Sequence, residues 1–130
     1  MVFKKVIIIG LLCAWPLAAS ISADNLPDDI VKALNSGDAK GVSKSFNSSV
    51  ELIFSQSQGV YGKSQAEQIL KNFFDNNRGS QNFTYKHLHT NNKDNIQYFI
   101  GQLYTAKGLY RIHIYMKDRL IHQMRIESND

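Results

Sequence analysis

From Leu26 onward, apolar positions fall first at helical and then at strand-like spacing. Leu26, Ile30, Ala33 and Leu34 share one helical face, Pro27 suits the first turn, and Asn35-Ser36-Gly37 supplies a stop with glycine in the expected place. Asp38 is positioned to cap a second short helix, with Ala39, Val42 and Phe46 on one side and Asn47-Ser48-Ser49 at its end. Val50, Leu52 and Phe54 then alternate with Glu51, Ile53 and Ser55, so 49–55 reads as a strand and 59–62 as a short strand returning beside it. Ser64 and Glu67 have the spacing of a capping box. Behind them Ala66, Ile69, Leu70, Phe73 and Phe74 follow the i, i+3, i+4, i+7, i+8 rule, and Asn76-Asn77-Arg78-Gly79 closes this third helix.

The rest of the chain alternates strand-like runs with turn signals. Runs at 82–90, 95–105, 109–116 and 119–127, separated by 91–94, Lys107-Gly108 and Lys117-Asp118, predict a four-stranded antiparallel meander. A two-residue turn at Lys107-Gly108 sets Tyr104 opposite Arg111 and Gln102 opposite His113, and one at Lys117-Asp118 sets Tyr115 opposite Leu120 and His113 opposite His122. One sheet face then carries Tyr98, Ile100, Gln102, Tyr104, Arg111, His113, Tyr115, Leu120, His122 and Met124. The other carries Phe99, Leu103, Tyr110, Ile112, Ile114, Met116 and Ile121, and is the natural one to pack on the helices. The mixed Tyr/Arg/His face has the composition of an interface core.

Everything before Asp24 reads differently. A basic start with Lys4 and Lys5, an apolar run over 6–12 and small residues after Pro16 have the order of a secretory signal, too short for a membrane span of about 20 residues. Cleavage is expected after Ala23, with Ser20 as the other candidate, leaving 24–130 as a single domain. That chain would be exported to a bacterial periplasm or secreted. Cys13 is the only cysteine of the 130 residues and lies in the signal, so the domain is held by packing without disulfides. Removing Lys4 and Lys5 lowers the net charge from +4 to +2, and the remaining basic residues are scattered, which argues against a nucleic-acid partner. Membrane contact is expected only through the signal segment before cleavage.

The order of two helices, a hairpin, a longer helix and a meander resembles the nuclear transport factor 2-like superfamily, a cone-shaped α+β fold also used by ketosteroid isomerase, scytalone dehydratase and polyketide cyclases. The stretches 46–52, 59–70 and 120–127 further resemble a family of small exported bacterial proteins described as a domain of unknown function. The resemblance implies three N-terminal helices packed in a strongly curved mixed or antiparallel sheet, and no particular activity.

Ketosteroid isomerase needs a carboxylate base and proton donors facing one apolar cavity, and no such set assembles here. Glu51 and Glu127 alternate with apolar neighbours as outward residues do. His87 and His89, two apart on one strand, share a face but supply only two ligands, so no metal site is expected, and no cofactor either. The expected function is therefore non-catalytic binding of a small apolar molecule inside the cone, or of a protein, a second copy included. The sheet face that would serve carries Tyr98, Gln102, Tyr104, Arg111, His113, Tyr115 and His122. The alternative is an isomerase or dehydratase of the ketosteroid isomerase type, with His113 or His122 as base and Tyr98 or Tyr104 as acid. An adaptor within an envelope assembly is the third reading.

Overall fold

The computed structural model describes residues 25–55, 57–79 and 82–129; the segment expected to be a signal lies outside them. Helices α1 (Asp28–Ser36) and α2 (Ala39–Ser43) precede strands β1 (Phe46–Phe54) and β2 (Ser57–Gly62). Helix α3 (Lys63–Asn77) follows, and then the meander β3 (Thr84–Lys93), β4 (Ile96–Thr105), β5 (Gly108–Lys117) and β6 (Leu120–Ser128). The third helix thus comes after the first hairpin instead of sharing the N-terminus with the other two. The strands form one open sheet in the order β2-β1-β6-β5-β4-β3, antiparallel except where β1 runs parallel to β6. No helix among the described residues is long and apolar enough to cross a membrane.

Local chemistry sets the helix ends. Gly37, in the left-handed region at φ 64°, closes α1, and its N–H reaches the Leu34 carbonyl. The Asp38 carboxylate accepts from Gly41 N–H at 3.0 Å and so caps α2. That helix stops at Ser43, earlier than the periodicity of Ala39, Val42 and Phe46 suggests, because Phe46 instead opens β1 opposite Ile121 of β6. The capping box at Ser64 does not form either. The helix begins one residue before it, behind Gly62, and Glu67 reaches across to accept from the Ser43 hydroxyl at 2.9 Å. A side chain expected to stabilise its own helix end ties two helices together instead.

The helices cover one face of the sheet. Ile30, Leu34, Val42, Leu70 and Phe74 from the helices meet Phe46, Leu52, Phe99, Leu103, Ile112, Ile114 and Ile126 from the strands, all at most 2 % exposed. Each buried side chain of this size contributes about 1.5–3 kcal/mol of hydrophobic free energy. At the far end of that face the Tyr85 ring lies over Gly101, where a Cβ would overlap it, and burial pushes the Tyr85 hydroxyl up to about 12. This arrangement fills the middle of the domain: Phe46 and Phe74 are fully buried, while Phe54 and Phe73 sit half-buried at its margin.

Registers differ from the sequence expectation at both hairpins for which the turns set one. The β4–β5 turn is Ala106-Lys107, with Thr105 opposite Gly108; the Thr105 hydroxyl accepts from Lys107 N–H and donates to the Gly108 carbonyl. Tyr104 therefore faces Leu109 and Gln102 faces Arg111. A slip of two residues leaves every side chain on its expected face. The β5–β6 turn is Asp118-Arg119, both residues at positive φ, and Lys117 pairs with Leu120. Two bulges do change faces. The β5–β6 register steps by one between Tyr115 and Met116, so His122 and Gln123 together oppose Tyr115, His113 faces Arg125 rather than His122, and Met124 turns into the core. Leu88 is the extra residue in β3, which puts His87 opposite buried Gly101 and His89 opposite Ile100 on the other face. The two histidines do not share a face as their spacing suggests.

Candidate functional site

The sheet face away from the helices gathers the residues singled out from the sequence. Because β4, β5, β6 and β1 are in register, they lie in rows across the strands. One row runs Tyr98, Tyr115, Gln123, Glu51; the next runs Ile100, His113, Arg125, Ile53; a third runs Gln102, Arg111, Glu127. Tyr98 Oη lies 2.9 Å from His113 Nδ1, with the rings edge to face at 5.8 Å. His113 Nε2 is the one buried side-chain polar atom without a hydrogen-bond partner among the described residues. Burial, with Arg125 and Arg111 adding and Glu127 opposing, holds the His113 ring below the usual histidine range.

The neighbouring rows are wired more fully. Glu51 accepts from Gln123 at 2.9 Å and Gln58 at 2.7 Å, and these bonds, helped by Arg125, keep its carboxyl below the usual carboxylate range. Arg125 pairs with Glu127 at 3.3 Å. Tyr115 and His122 meet edge to face at 6.3 Å, and the Tyr104 hydroxyl donates to Gln102 at 3.3 Å near the exposed end of the sheet. Arg111 makes no ion pair with any described residue.

A second feature, not foreseen from the residue pattern, lies on the helix side. An open cleft of about 400 Å³ lies between α3 and the ends of β1, β2, β5 and β6. Phe54 and Phe73 stack at 5.7 Å along it, and Tyr110 stands edge-on to Phe73 at 5.0 Å. Ile69 and Ile126 extend this apolar lining, while Ser55, Ser57, Asn72 and Asn76 supply its polar groups. The Tyr110 hydroxyl is anchored by donating to Asn77 Oδ1 at 2.9 Å, and Asn77 Nδ2 donates to the Phe73 carbonyl at 2.9 Å. Apart from that phenol, no ionisable side chain of the described residues lines the cleft.

His113, His122, Tyr98 and Tyr104 therefore do not surround this cleft, and the acid–base arrangement of the ketosteroid isomerase alternative is not assembled there. Among the described residues no group of three or more His, Cys, Asp or Glu side chains is placed to hold a metal ion. Periodicity could not have found the cleft, because Phe54 and Phe73 occupy regular core-facing positions and only the tertiary arrangement leaves them at the edge.

A family model for a domain of unknown function, DUF4783, matches residues 27–127. A crystal structure of a DUF4783 family protein from Bacteroides ovatus superposes with a TM-score of 0.73 at 27% identity, over 81% of this chain and 96% of that one. An NTF2-like protein of unknown function from Cytophaga hutchinsonii (TM-score 0.56, 11% identity, 78% and 84% covered) shares the fold. So does a putative polyketide cyclase from Sinorhizobium meliloti (TM-score 0.59, 13% identity, 78% and 94% covered). No curated protein matches the sequence.

Proposed function

The chain belongs to the DUF4783 family and has an NTF2-like fold, and from that premise we propose that it is an exported domain which binds a small, uncharged, largely apolar molecule in the cleft beside α3. The observation that carries this reading is the lining itself: stacked Phe54 and Phe73, Tyr110, Ile69 and Ile126, with amides and hydroxyls as the polar groups. Small-molecule sites have this make-up, apolar walls with a few placed polar groups. A carboxylate or ammonium entering such a cleft would lose water and gain no counter-ion, so neutral ligands are favoured. A planar ring fits best, since it can lie against the Phe54–Phe73 pair while Asn72 or Asn76 takes its hydrogen-bonding edge.

The ligand in this reading sits at the mouth of the domain and not deep inside a hollow cone, because Phe46 and Phe74 already fill the centre. A sheet strongly curved around α3 belongs to the same proposal, supported by the Phe73 ring meeting Phe54 of β1 and Tyr110 of β5, two strands apart. Export is supported by the basic start and apolar run ahead of Asp24.

The test is a panel of matched compounds, each neutral aromatic paired with its carboxylate and ammonium analogue, followed by NMR of the Phe73 and Tyr110 ring signals. Neutral members should shift those signals, and Ile69→Trp, which fills the cleft with an indole, should weaken binding at least about tenfold while keeping the parental melting temperature within a few degrees. Binding unchanged in Ile69→Trp, or charged analogues binding as well as neutral ones, would refute the assignment.

A further inference from the structure

The cleft beside α3 does not end at its apolar wall. Phe54, Ser55 and Ser57, which line it, also line a second hollow of about 330 Å³ at the end of the β1–β2 hairpin, completed by Ile53, Gln58 and Glu127. The two hollows are therefore contiguous around the hairpin end, and their chemistry differs. Aromatic rings and aliphatic chains wall the first; the second offers a carboxylate, a primary amide and hydroxyls beside Ile53. Strand register explains the division. Phe54 and Ile126 pair across β1 and β6 on the helix side, while Ile53 with its partner Gln58, and Glu127, come from the other side of the same strands.

Hydrogen bonds already made decide what the second hollow can take. Gln58 donates its amide N–H to Glu51 at 2.7 Å, which leaves its amide oxygen as an acceptor. Glu127 pairs with Arg125 at 3.3 Å and stands opposite Arg111 in the β5–β6 ladder, so guanidinium groups balance its charge. A carboxylate has about four acceptor sites, and the Arg125 contact leaves most of them open. An ammonium group would gain little from a carboxylate already paired and would meet two guanidinium groups. An anion would meet the carboxylate, with no cationic side chain of the described residues lining the hollow. A neutral group rich in hydroxyl donors suits it best, and the neighbouring hydroxyls of a sugar can donate in pairs to planar carboxylate and amide oxygens while the C–H face of the ring lies on Ile53.

We infer that the ligand is an aryl glycoside, its neutral aromatic part against the Phe54–Phe73 pair and its sugar in the adjoining hollow, donating to Glu127 and Gln58. This rests on the cleft binding proposed above and adds the class of molecule. The sugar stays uncharged, as the cleft requires, and each half holds the other at high effective concentration over its own hollow.

The test is NMR titration of the protein with para-nitroanisole and with the β-glucoside, β-galactoside and α-mannoside of para-nitrophenol. All should shift the Phe73 and Tyr110 ring signals, but only the glycosides should move the Gln58 side-chain amide signals. The best glycoside should bind at least about tenfold tighter than the anisole, the factor worth one hydrogen bond to a charged acceptor. Glu127→Gln, which keeps the shape but weakens the acceptor, and Gln58→Leu, which removes the amide, should each cut that advantage to about threefold or less. The readout is a ratio of two affinities within one variant, so a general loosening of the fold cancels, and circular dichroism melts confirm that each variant is folded. Glycosides that bind no tighter than the anisole, or that keep their advantage in both variants, would overturn the inference while cleft binding stands. If no compound shifts the Phe73 or Tyr110 signals, cleft binding and this inference fall together.

Discussion

Gly101 owes its identity to a neighbour on the adjacent strand. A methyl group there would overlap the Tyr85 ring, which also holds its hydroxyl 3.2 Å from His87 Nδ1. Gly101→Ala should therefore destabilise the domain by about 1–3 kcal/mol, read from urea unfolding, although alanine is ordinarily tolerated in a strand. His113 yields a pH dependence. Its folded pKa lies below the unfolded value of about 6.5, so the unfolded chain binds more protons as the solution is acidified. Its contribution to stability is fully present above about pH 6.5 and is lost as pH falls through the folded midpoint. NMR titration of the His113 ring should give a midpoint below about 6.5; a midpoint at or above it would contradict the burial described here. At this scale the sequence was legible where residues alternate in a regular strand. The inward set Phe99, Leu103, Ile112, Ile114, Met116 and Ile121 is buried as its alternation implied. Met124 went astray because one inserted residue upstream reverses all that follows, and a bulge depends on the partner strand as much as on its own.

Between elements, Asn77 joins three of them. It ends α3, its amide donates to the Phe73 carbonyl, its side-chain oxygen accepts from Tyr110 of β5, and its own carbonyl accepts from Ala106 N–H in the β4–β5 turn. Asn77→Leu removes the polar side chain from a site only 6 % exposed and leaves the Tyr110 hydroxyl without its acceptor. A loss of about 1–3 kcal/mol is expected, and thermal unfolding of Asn77→Leu beside Tyr110→Phe/Asn77→Leu measures it. The double variant should recover part of the loss, since the orphaned hydroxyl is gone. Helix α3 itself was legible over nearly its full length because five apolar residues keep a single spacing. Its cap was not, because Ser64 and Glu67 satisfy a local rule that a tertiary bond from Ser43 outcompetes. Asn77 read only as part of a turn signal, and nothing local marks a residue whose side chain and carbonyl bond to two other elements.

For the whole molecule, the two sides of the sheet differ in how far they could be foreseen. The outer face was legible on β4 and β5, because a slip of two residues in a hairpin preserves sidedness and the β4–β5 error was of that size, but on β6 the bulge brings Gln123, Arg125 and Glu127 to it in place of Met124. The cleft was not, since half-buried rings at the domain margin and fully buried rings at its centre obey the same periodicity. The filling variant Ile69→Trp therefore probes the helix side of the sheet and leaves the outer face as it is.

Strand β6 is the last of the described elements, yet it lies at the middle of the sheet, joining β1 on one side to β5 on the other. Without Leu120–Ser128 the β1–β2 hairpin and the β3–β5 meander are two separate pieces, each with a raw edge. The order of biosynthesis then becomes a timer: a nascent chain cannot close its core until Leu120–Ser128 has left the ribosome. Until that moment the two pieces have no strand between them to join their sheets.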